Sequence, residues 1–254
     1  MKTLSISAAW NEASAFVKRE GSLLFPVAFA LIALPSILFQ ATAPVPVPGE
    51  QSEPSFWPLF FLPMLLVTLL GTLTLTIMAL HPGTIVKDAI AGASRRVLPV
   101  FGAIFLFGLV VALIATPIAV ASAGAQVGIG AGLVGLLLFA TIPVLLFVCV
   151  RLMLVNVVGA NEVIGPFAML RRSWALTAGH FWKLLGFLMV VTIVVVVVAI
   201  AVNAIGGIFV SLAVGQPDPG SLPAVLILIL SGLLNAIVSV FVTAAIARIY
   251  AQLA

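Results

Sequence analysis

The amino-acid sequence contains six apolar runs that are each long enough to cross a lipid bilayer. A helical crossing of the hydrocarbon layer, about 30 Å thick, requires about 20 apolar residues. Only 7% of the 254 residues are charged, against about a quarter in an ordinary soluble domain. We therefore predict a single all-α polytopic membrane domain, and a soluble globular enzyme is excluded. The predicted spans cover residues 22–40, 57–80, 97–122, 127–156, 184–214 and 222–247.

The positions of Lys and Arg predict the orientation of the spans, because basic residues near span ends resist translocation. All eleven fall on one side: they precede span one, follow span six, lie between spans two and three or four and five, or, for Arg151, lie near the end of span four. The opposite side carries only the acidic residues Glu50, Glu53 and Asp218. We expect a bacterial inner-membrane protein with both termini in the cytoplasm. Because no continuous apolar run begins before Ser22, no cleavable signal peptide is expected.

Three basic stretches on the predicted cytoplasmic side also have helical periodicity. In the third, apolar residues recur at intervals of three and four: Phe167, Leu170, Trp174, Ala178, Phe181 and Leu185. Similar patterns precede spans one and three. We predict in-plane amphipathic helices over about residues 4–20, 84–96 and 165–182, each followed by a transmembrane hairpin. The six spans thus form three hairpins.

These amphipathic segments predict an interface with anionic phospholipids. Trp side chains suit the headgroup layer, and Lys and Arg attract lipid phosphate. The candidate lipid-binding residues are Lys18, Arg19, Arg95, Arg96, Arg171, Arg172, Trp174, Trp182 and Lys183. The placement of the basic residues favours a membrane surface over nucleic acid as the partner.

Polar residues within the spans predict packing contacts. Arg151 falls near the basic end of span four, where its aliphatic stem can reach the interface, and no ionisable residue falls at mid-bilayer. Asn203 and Asn235 reach similar depths in spans five and six, which predicts a hydrogen bond between their side-chain amides. The alternative is a substrate site in a transporter or channel for a neutral or lipidic solute.

Neither catalysis nor a metal or cofactor site is expected. His81 and His180 fall at the interface, and the few carboxylates show no metal-ligand spacing with them. The sequence has no nucleophile elbow and no phosphate-binding glycine loop. A second alternative is an enzyme that acts on lipid headgroups through Glu162 and His180.

Residues 151–186, RLMLVNVVGANEVIGPFAMLRRSWALTAGHFWKLLG, resemble the signature region of the membrane domain attached to some bacterial glycerophosphoryl diester phosphodiesterases and of related polytopic families. The matching residues are Arg151, Glu162, Arg172, Ser173, Trp174, Gly179, Trp182 and Lys183. The resemblance implies an integral inner-membrane domain with no established activity of its own. The phosphodiesterase barrel of some relatives does not fall within this sequence, so its catalysis does not carry over.

Within this region, Glu162 is expected to pair with Arg151 or Arg172 and to anchor the in-plane helix against the bundle, because opposite charges attract strongly near a low-dielectric interface. Alternatively, Glu162, Arg171 and Arg172 together hold a lipid headgroup. The function we expect is that of a non-enzymatic scaffold or accessory subunit in membrane or lipid homeostasis, alone or in a larger membrane complex.

Overall fold

The computed structural model describes residues 4–42, 57–125, 131–215 and 221–254. All regular secondary structure in these ranges is helical. Helix α1 (Ile6–Ala28) continues through a π-helical turn (Phe29–Ala33) into α2 (Leu34–Ala41). The other helices are α3 (Trp57–Leu80), α4 (Val86–Ala125), α5 (Ala131–Leu152), α6 (Val155–Asn161), α7 (Pro166–Thr177), α8 (Phe181–Val214) and α9 (Leu222–Leu253).

Six of these helical segments are long and apolar enough to cross a membrane, which confirms the prediction of a multi-pass all-α membrane protein. They are Ile6–Ala41, Leu59–Leu80, Val86–Val120, Gly135–Asn161, Phe181–Val214 and Leu222–Leu253. The start of predicted span four at residues 127–130, and the loops with Glu50, Glu53 and Asp218, lie outside the described residues.

The first two amphipathic segments differ from the prediction at one point, because each runs into the following span without interruption. Residues 6–20 belong to the helix that continues to Ala41, and residues 86–96 are the first part of α4, which continues to Ala125. The backbone is helical on both sides of each predicted boundary, at residues 20–22 and at residues 96–97. A periodic pattern alone does not end a helix, so the backbone continues. Of the three segments, only residues 165–182 contain a separate short helix, α7.

These continuous helices are longer than a bilayer is thick. At about 1.5 Å per residue, the 36 residues of Ile6–Ala41 extend over about 54 Å, whereas a bilayer with its headgroups measures about 40–45 Å. The π-helical turn within this segment ends at Ala33, two residues before Pro35. Proline has no N–H for the usual bond to the carbonyl four residues earlier, and the helix widens there.

Several helix termini meet at one end of the bundle, which we call the basic end. The Ser5 backbone N–H donates to Gln252 Oε1 across 3.0 Å, which joins the start of α1 to the end of α9. Lys183 Nζ, in the first turn of α8, donates to the Leu4 carbonyl across 3.2 Å. The Arg96 guanidinium of α4 donates to the Ala160 carbonyl of α6. These bonds tie the start of α1 to α8 and α9, and tie α4 to α6.

The buried core lies mainly at the basic end. Small residues on α1, α4 and α9 allow the backbones to approach there, among them Ala9, Ala13, Ala89, Ala93, Ala244 and Ala245, all buried. Helix α6 is almost wholly buried between α3, α4, α7 and α9. Most of α8 has exposed side chains, and only Leu184 and Phe187 are buried in it. In a lipid solvent such exposure of apolar side chains carries no hydrophobic penalty.

Candidate functional site

Helices α6 and α7 form a folded insertion at the basic end, between α5 and α8. Pro166 occupies the first turn of α7, a position where its missing N–H is not needed. After Thr177, the chain turns into α8 through Gly179, whose φ of 83° suits glycine and few other residues. Pro166 and Gly179 thus mark where the chain enters α7 and where it turns from α7 into α8.

The buried face of α7 consists of Met169, Ser173 and Thr177. Ser173 Oγ donates to the Arg151 carbonyl across 2.9 Å, and Thr177 Oγ1 lies 3.2 Å from the same oxygen. The last carbonyls of a helix lack partners within it, and α5 ends at Leu152. The two hydroxyls therefore dock α7 onto the open end of α5.

Of the predicted apolar stripe, Leu170 is half-buried against the core, whereas the aromatic side chains reach the outer side of α7. Phe167 is 75% exposed and Trp174 42% exposed, and the exposed Arg171 lies between them along the helix. Trp182, at the start of α8, is 80% exposed. We name Phe167, Arg171, Trp174 and Trp182 the outer surface. It combines aromatic side chains with a cation, as interfacial helices do.

Glu162 joins α7 to the end of α9. Its Oε1 accepts hydrogen bonds from Arg172 Nε at 3.1 Å and from the Tyr250 hydroxyl at 2.9 Å. Asn161 Nδ2 donates to the same phenol oxygen across 3.2 Å. Of the two arginines proposed as partners of Glu162, the structure pairs Arg172 with it. The ion pair is partly exposed, with 44% of the Arg172 side chain and 26% of the Glu162 side chain accessible.

Arg151 lies against two aromatic rings instead. Its guanidinium carbon lies 5.1 Å from the centroid of Phe147 and 5.1 Å from that of Trp174, within the range of cation–π attraction. These two rings also meet edge to face, with centroids 5.6 Å apart. Arg151 thus contacts α7 through both its side chain and its carbonyl.

The remaining predicted lipid-binding residues divide into two groups. Arg96 donates to the carbonyls of Gly159 and Ala160 at the end of α6, and Lys183 donates to the Leu4 carbonyl, so both have structural contacts. Lys18, Arg19 and Arg95 are exposed. Arg19 Nε lies 3.0 Å from Glu20 Oε1, its neighbour in the chain.

Asn203 bonds to a residue of α9 other than the predicted Asn235. Its Oδ1 accepts from Ser231 Oγ across 2.7 Å, and its Nδ2 donates to the Ala199 carbonyl across 2.8 Å. Asn235 lies one turn further along α9, where its Oδ1 is 3.5 Å from Ser239 Oγ. The hydrogen bonds of the described residues include none between the two asparagines. The predicted hydrogen bond does join α8 and α9, but the partner of Asn203 is Ser231.

Three contributors to the site were missed by sequence reasoning: Tyr250, Asn161 and Thr177. Tyr250 is the single tyrosine of the chain and lies at the end of an apolar helix, which was the available signal.

Within the described residues, no group of three or more His, Cys, Asp or Glu side chains is placed to hold a metal ion. The hydrogen bonds and ion pairs of the described residues include none between Glu162 and His180. The interpretations of the chain as an enzyme or as a transporter stay predictions.

Comparison with known proteins places the chain in a family. Residues 4–253 match the family described as "Domain of unknown function (DUF7847)". No curated protein and no solved structure matches the chain. The resemblance of residues 151–186 to the membrane domain of glycerophosphoryl diester phosphodiesterases stays a prediction. Since the match covers all but the first three residues and the last, the chain belongs to the DUF7847 family.

Proposed function

We propose that this chain is a non-enzymatic integral protein of the bacterial inner membrane whose basic end binds anionic lipid headgroups. In this role it acts as a scaffold or accessory subunit in membrane or lipid homeostasis, alone or within a larger membrane complex. Both termini lie in the cytoplasm, because the basic residues collect on that side. Anionic phospholipids are the partners, and no cofactor is involved.

One observation carries the proposal: α7 buries its hydroxyl face and exposes its aromatic and cationic one. Trp174 packs on one side against Phe147 and Arg151, and 42% of its surface stays exposed. A helix that served only to pack the bundle would also bury Phe167. Instead Ser173 and Thr177 face inward and bond to Arg151, and Phe167 is 75% exposed. Exposed aromatic rings beside an arginine match the depth and charge of the headgroup layer.

The Glu162–Arg172 pair fits a supporting role in this arrangement. In our proposal this ion pair binds no lipid. It fixes the angle at which α7 leaves the bundle, because the Tyr250 hydroxyl of α9 donates to the same carboxylate oxygen. Arg172 is thereby held at the junction. Arg171, its neighbour, is the cation that the outer surface offers to lipid phosphate.

Arg171→Glu tests the proposal while the junction stays intact. Each basic residue near an anionic surface contributes about 1 kcal/mol of attraction, so we expect at least a roughly fivefold loss of phosphatidylglycerol enrichment. The purified protein is exchanged into nanodiscs of phosphatidylglycerol and phosphatidylcholine, and the lipids that it retains are identified by native mass spectrometry. Arg171→Lys keeps the charge and serves as the matched control.

Equal phosphatidylglycerol enrichment in wild type, Arg171→Lys and Arg171→Glu would overturn the proposal. A thermal melt in detergent accompanies each variant, so that a loss of lipid is not mistaken for unfolding. Because Arg171 is exposed, we expect its substitution to change the free energy of unfolding by less than about 0.5 kcal/mol.

A further inference from the structure

Helices α8 and α9 are in close contact in the halves of these helices far from the basic end. Ser231 of α9 donates to Asn203 of α8 across 2.7 Å. One turn further along α8, Gly206 lies against the Leu230 side chain so closely that an added Cβ would overlap Leu230 Cδ2. The polar bond and the missing side chain together fix the two helices to each other at this point.

Towards the basic end, the same two helices border a cavity of about 860 Å³ that is open on one side. Its walls include Val190, Val194 and Val198 of α8 and Leu234 and Phe241 of α9. The first turns of α1 contribute the only polar side chains of the lining, Ser7, Trp10 and Asn11. We call this cavity the α8–α9 groove. It is an apolar channel with a polar margin at the basic end.

A cation lies beside that polar margin. Lys183 precedes Phe187 and Val190 by four and seven residues, so it shares their face of α8. Its Nζ donates to the Leu4 carbonyl at the start of α1, two residues before the groove residue Ile6. An ammonium group has three N–H donors, and this bond uses one of them. The groove therefore carries positive charge at one end and aliphatic walls over the rest.

From this arrangement we infer that the α8–α9 groove holds one acyl chain of an anionic phospholipid whose headgroup phosphate lies at Lys183. The inference rests on the proposed function, because it requires that the basic end lies at headgroup depth. A volume of about 860 Å³ falls within the roughly 300–1,000 Å³ of small-molecule pockets. An apolar wall with charge at its headgroup end complements a lipid along its length.

The lining argues against a second transmembrane helix as the occupant. Helices associate in membranes through small residues that let the backbones approach, at spacings of four. Among the residues that line the groove, α8 presents Val190, Val194 and Val198 at that spacing, and only Gly186 lacks a side chain. β-Branched side chains hold a partner backbone away, whereas a flexible acyl chain fits between them. A lipid is therefore the occupant that we assign, and a partner helix or a second copy is an outcome of the test.

Filling the groove tests the assignment. Val194→Trp places an indole among the lining residues, and Val197→Trp makes the same change on an exposed part of α8 that does not line the groove. Protein exchanged into nanodiscs of phosphatidylglycerol and phosphatidylcholine is extracted into mild detergent and examined by native mass spectrometry. We expect wild type and Val197→Trp to retain one phospholipid per chain, and Val194→Trp to lose it.

Lys183→Gln tests the headgroup contact, since the amide keeps a donor for Leu4 and removes the charge. We expect the retained lipid to lose about fivefold of its preference for phosphatidylglycerol over phosphatidylcholine. A readout on wild-type protein avoids variants altogether. Phosphatidylglycerol with a diazirine in its acyl chain is expected to crosslink to residues 187–198 of α8 and 234–242 of α9 more than to the remaining exposed apolar helix surface.

The outcomes separate this inference from the proposed function. Retention of lipid by Val194→Trp, or crosslinks spread evenly over the exposed helices, would overturn the groove assignment whatever Arg171→Glu does. Loss of lipid in Val194→Trp with unchanged enrichment in Arg171→Glu would keep the groove and remove the outer surface. A stable dimer of wild type that Val194→Trp converts to monomer would show a second copy as the occupant and overturn the assignment.

Discussion

The Tyr250 hydroxyl donates a hydrogen bond of 2.9 Å to Glu162 Oε1 and thereby joins the last helix of the chain to the loop between α6 and α7. Asn161 donates to the same phenol oxygen, and Arg172 pairs with the same carboxylate. Four residues from three parts of the sequence thus meet at one point. The end of α9 holds the α6–α7 insertion in place, and the outer surface depends on that position.

Tyr250→Phe is expected to lower the free energy of unfolding by about 0.5–1.5 kcal/mol, because it removes one of the two hydrogen bonds that Glu162 Oε1 accepts and the bond that Asn161 donates. The ring itself stays, so the packing of the buried side chain is retained. Thermal unfolding in detergent measures the effect. Ser94→Ala, which removes an exposed hydroxyl bonded within its own helix, is the control and should change stability by less than about 0.5 kcal/mol. Equal stability of both variants would contradict the junction.

The two arginines Arg95 and Arg96 are expected to behave differently although they are neighbours. Arg96 donates to the carbonyls that end α6, whereas Arg95 is exposed. A hydrogen bond to a charged group contributes about 1.5–3 kcal/mol, so Arg96→Gln is expected to release α6 and the start of α7. Hydrogen exchange at residues 155–170 measures this release. Arg95→Gln should leave exchange unchanged, and a similar rise in both variants would argue against the cap.

The number of spans and the composition of the basic end followed from hydropathy and from the placement of Lys and Arg. Both are local properties, since a lipid solvent requires about 20 apolar residues per crossing wherever they occur. The uninterrupted course of α1 into the first span did not follow. Helix ends are marked in a sequence mainly by proline and glycine. Residues 20–22 contain no proline, and a helix tolerates Gly21 at a cost of about 1 kcal/mol.

Contacts between residues that are far apart in the sequence could not be predicted from local patterns. Glu162 and Arg172 are ten residues apart, and their pairing was one of two predicted choices that the structure settles. Tyr250 is 88 residues from Glu162, and its pairing depends on how α9 packs. The face by which α7 docks was also not predicted, because the pattern places Trp174 at the headgroup layer but indicates no partner for Ser173 or Thr177. In the structure the Arg151 carbonyl at the end of α5 accepts from this hydroxyl face.

The bond between Asn203 and Ser231 predicts a small and specific effect. Interhelical hydrogen bonds in membrane proteins contribute about 0.6 kcal/mol on average, because unfolded segments in the bilayer also find partners. Ser231→Ala is expected to destabilise by about that amount, and Asn203→Ala combined with it should add less than the sum of the single changes. A double-mutant cycle on unfolding in mixed micelles gives the coupling energy. Ser239→Ala is the matched control, and complete additivity of Ser231→Ala and Asn203→Ala would show that the bond contributes nothing.

Two glycines predict stability changes of opposite sign. Gly159 in α6 lies against α4 so closely that an added Cβ would overlap Val100 Cγ2 and lie 3.2 Å from Met169 Sδ. Val100 is fully buried and cannot move away, so Gly159→Ala is expected to lower the free energy of unfolding by about 1–3 kcal/mol.

Gly108 in α4 has no atom within 4 Å of an added Cβ. Gly108→Ala is therefore expected to raise the stability by about 0.5–1 kcal/mol, because alanine loses less backbone entropy than glycine when a helix forms. Unfolding of both variants in the same detergent gives the comparison. If Gly159→Ala stabilised the protein as Gly108→Ala does, α6 could not pack against α4 as the structure has it. The contact through which Arg96 reaches the end of α6 would then be lost as well, since both contacts join the same two helices.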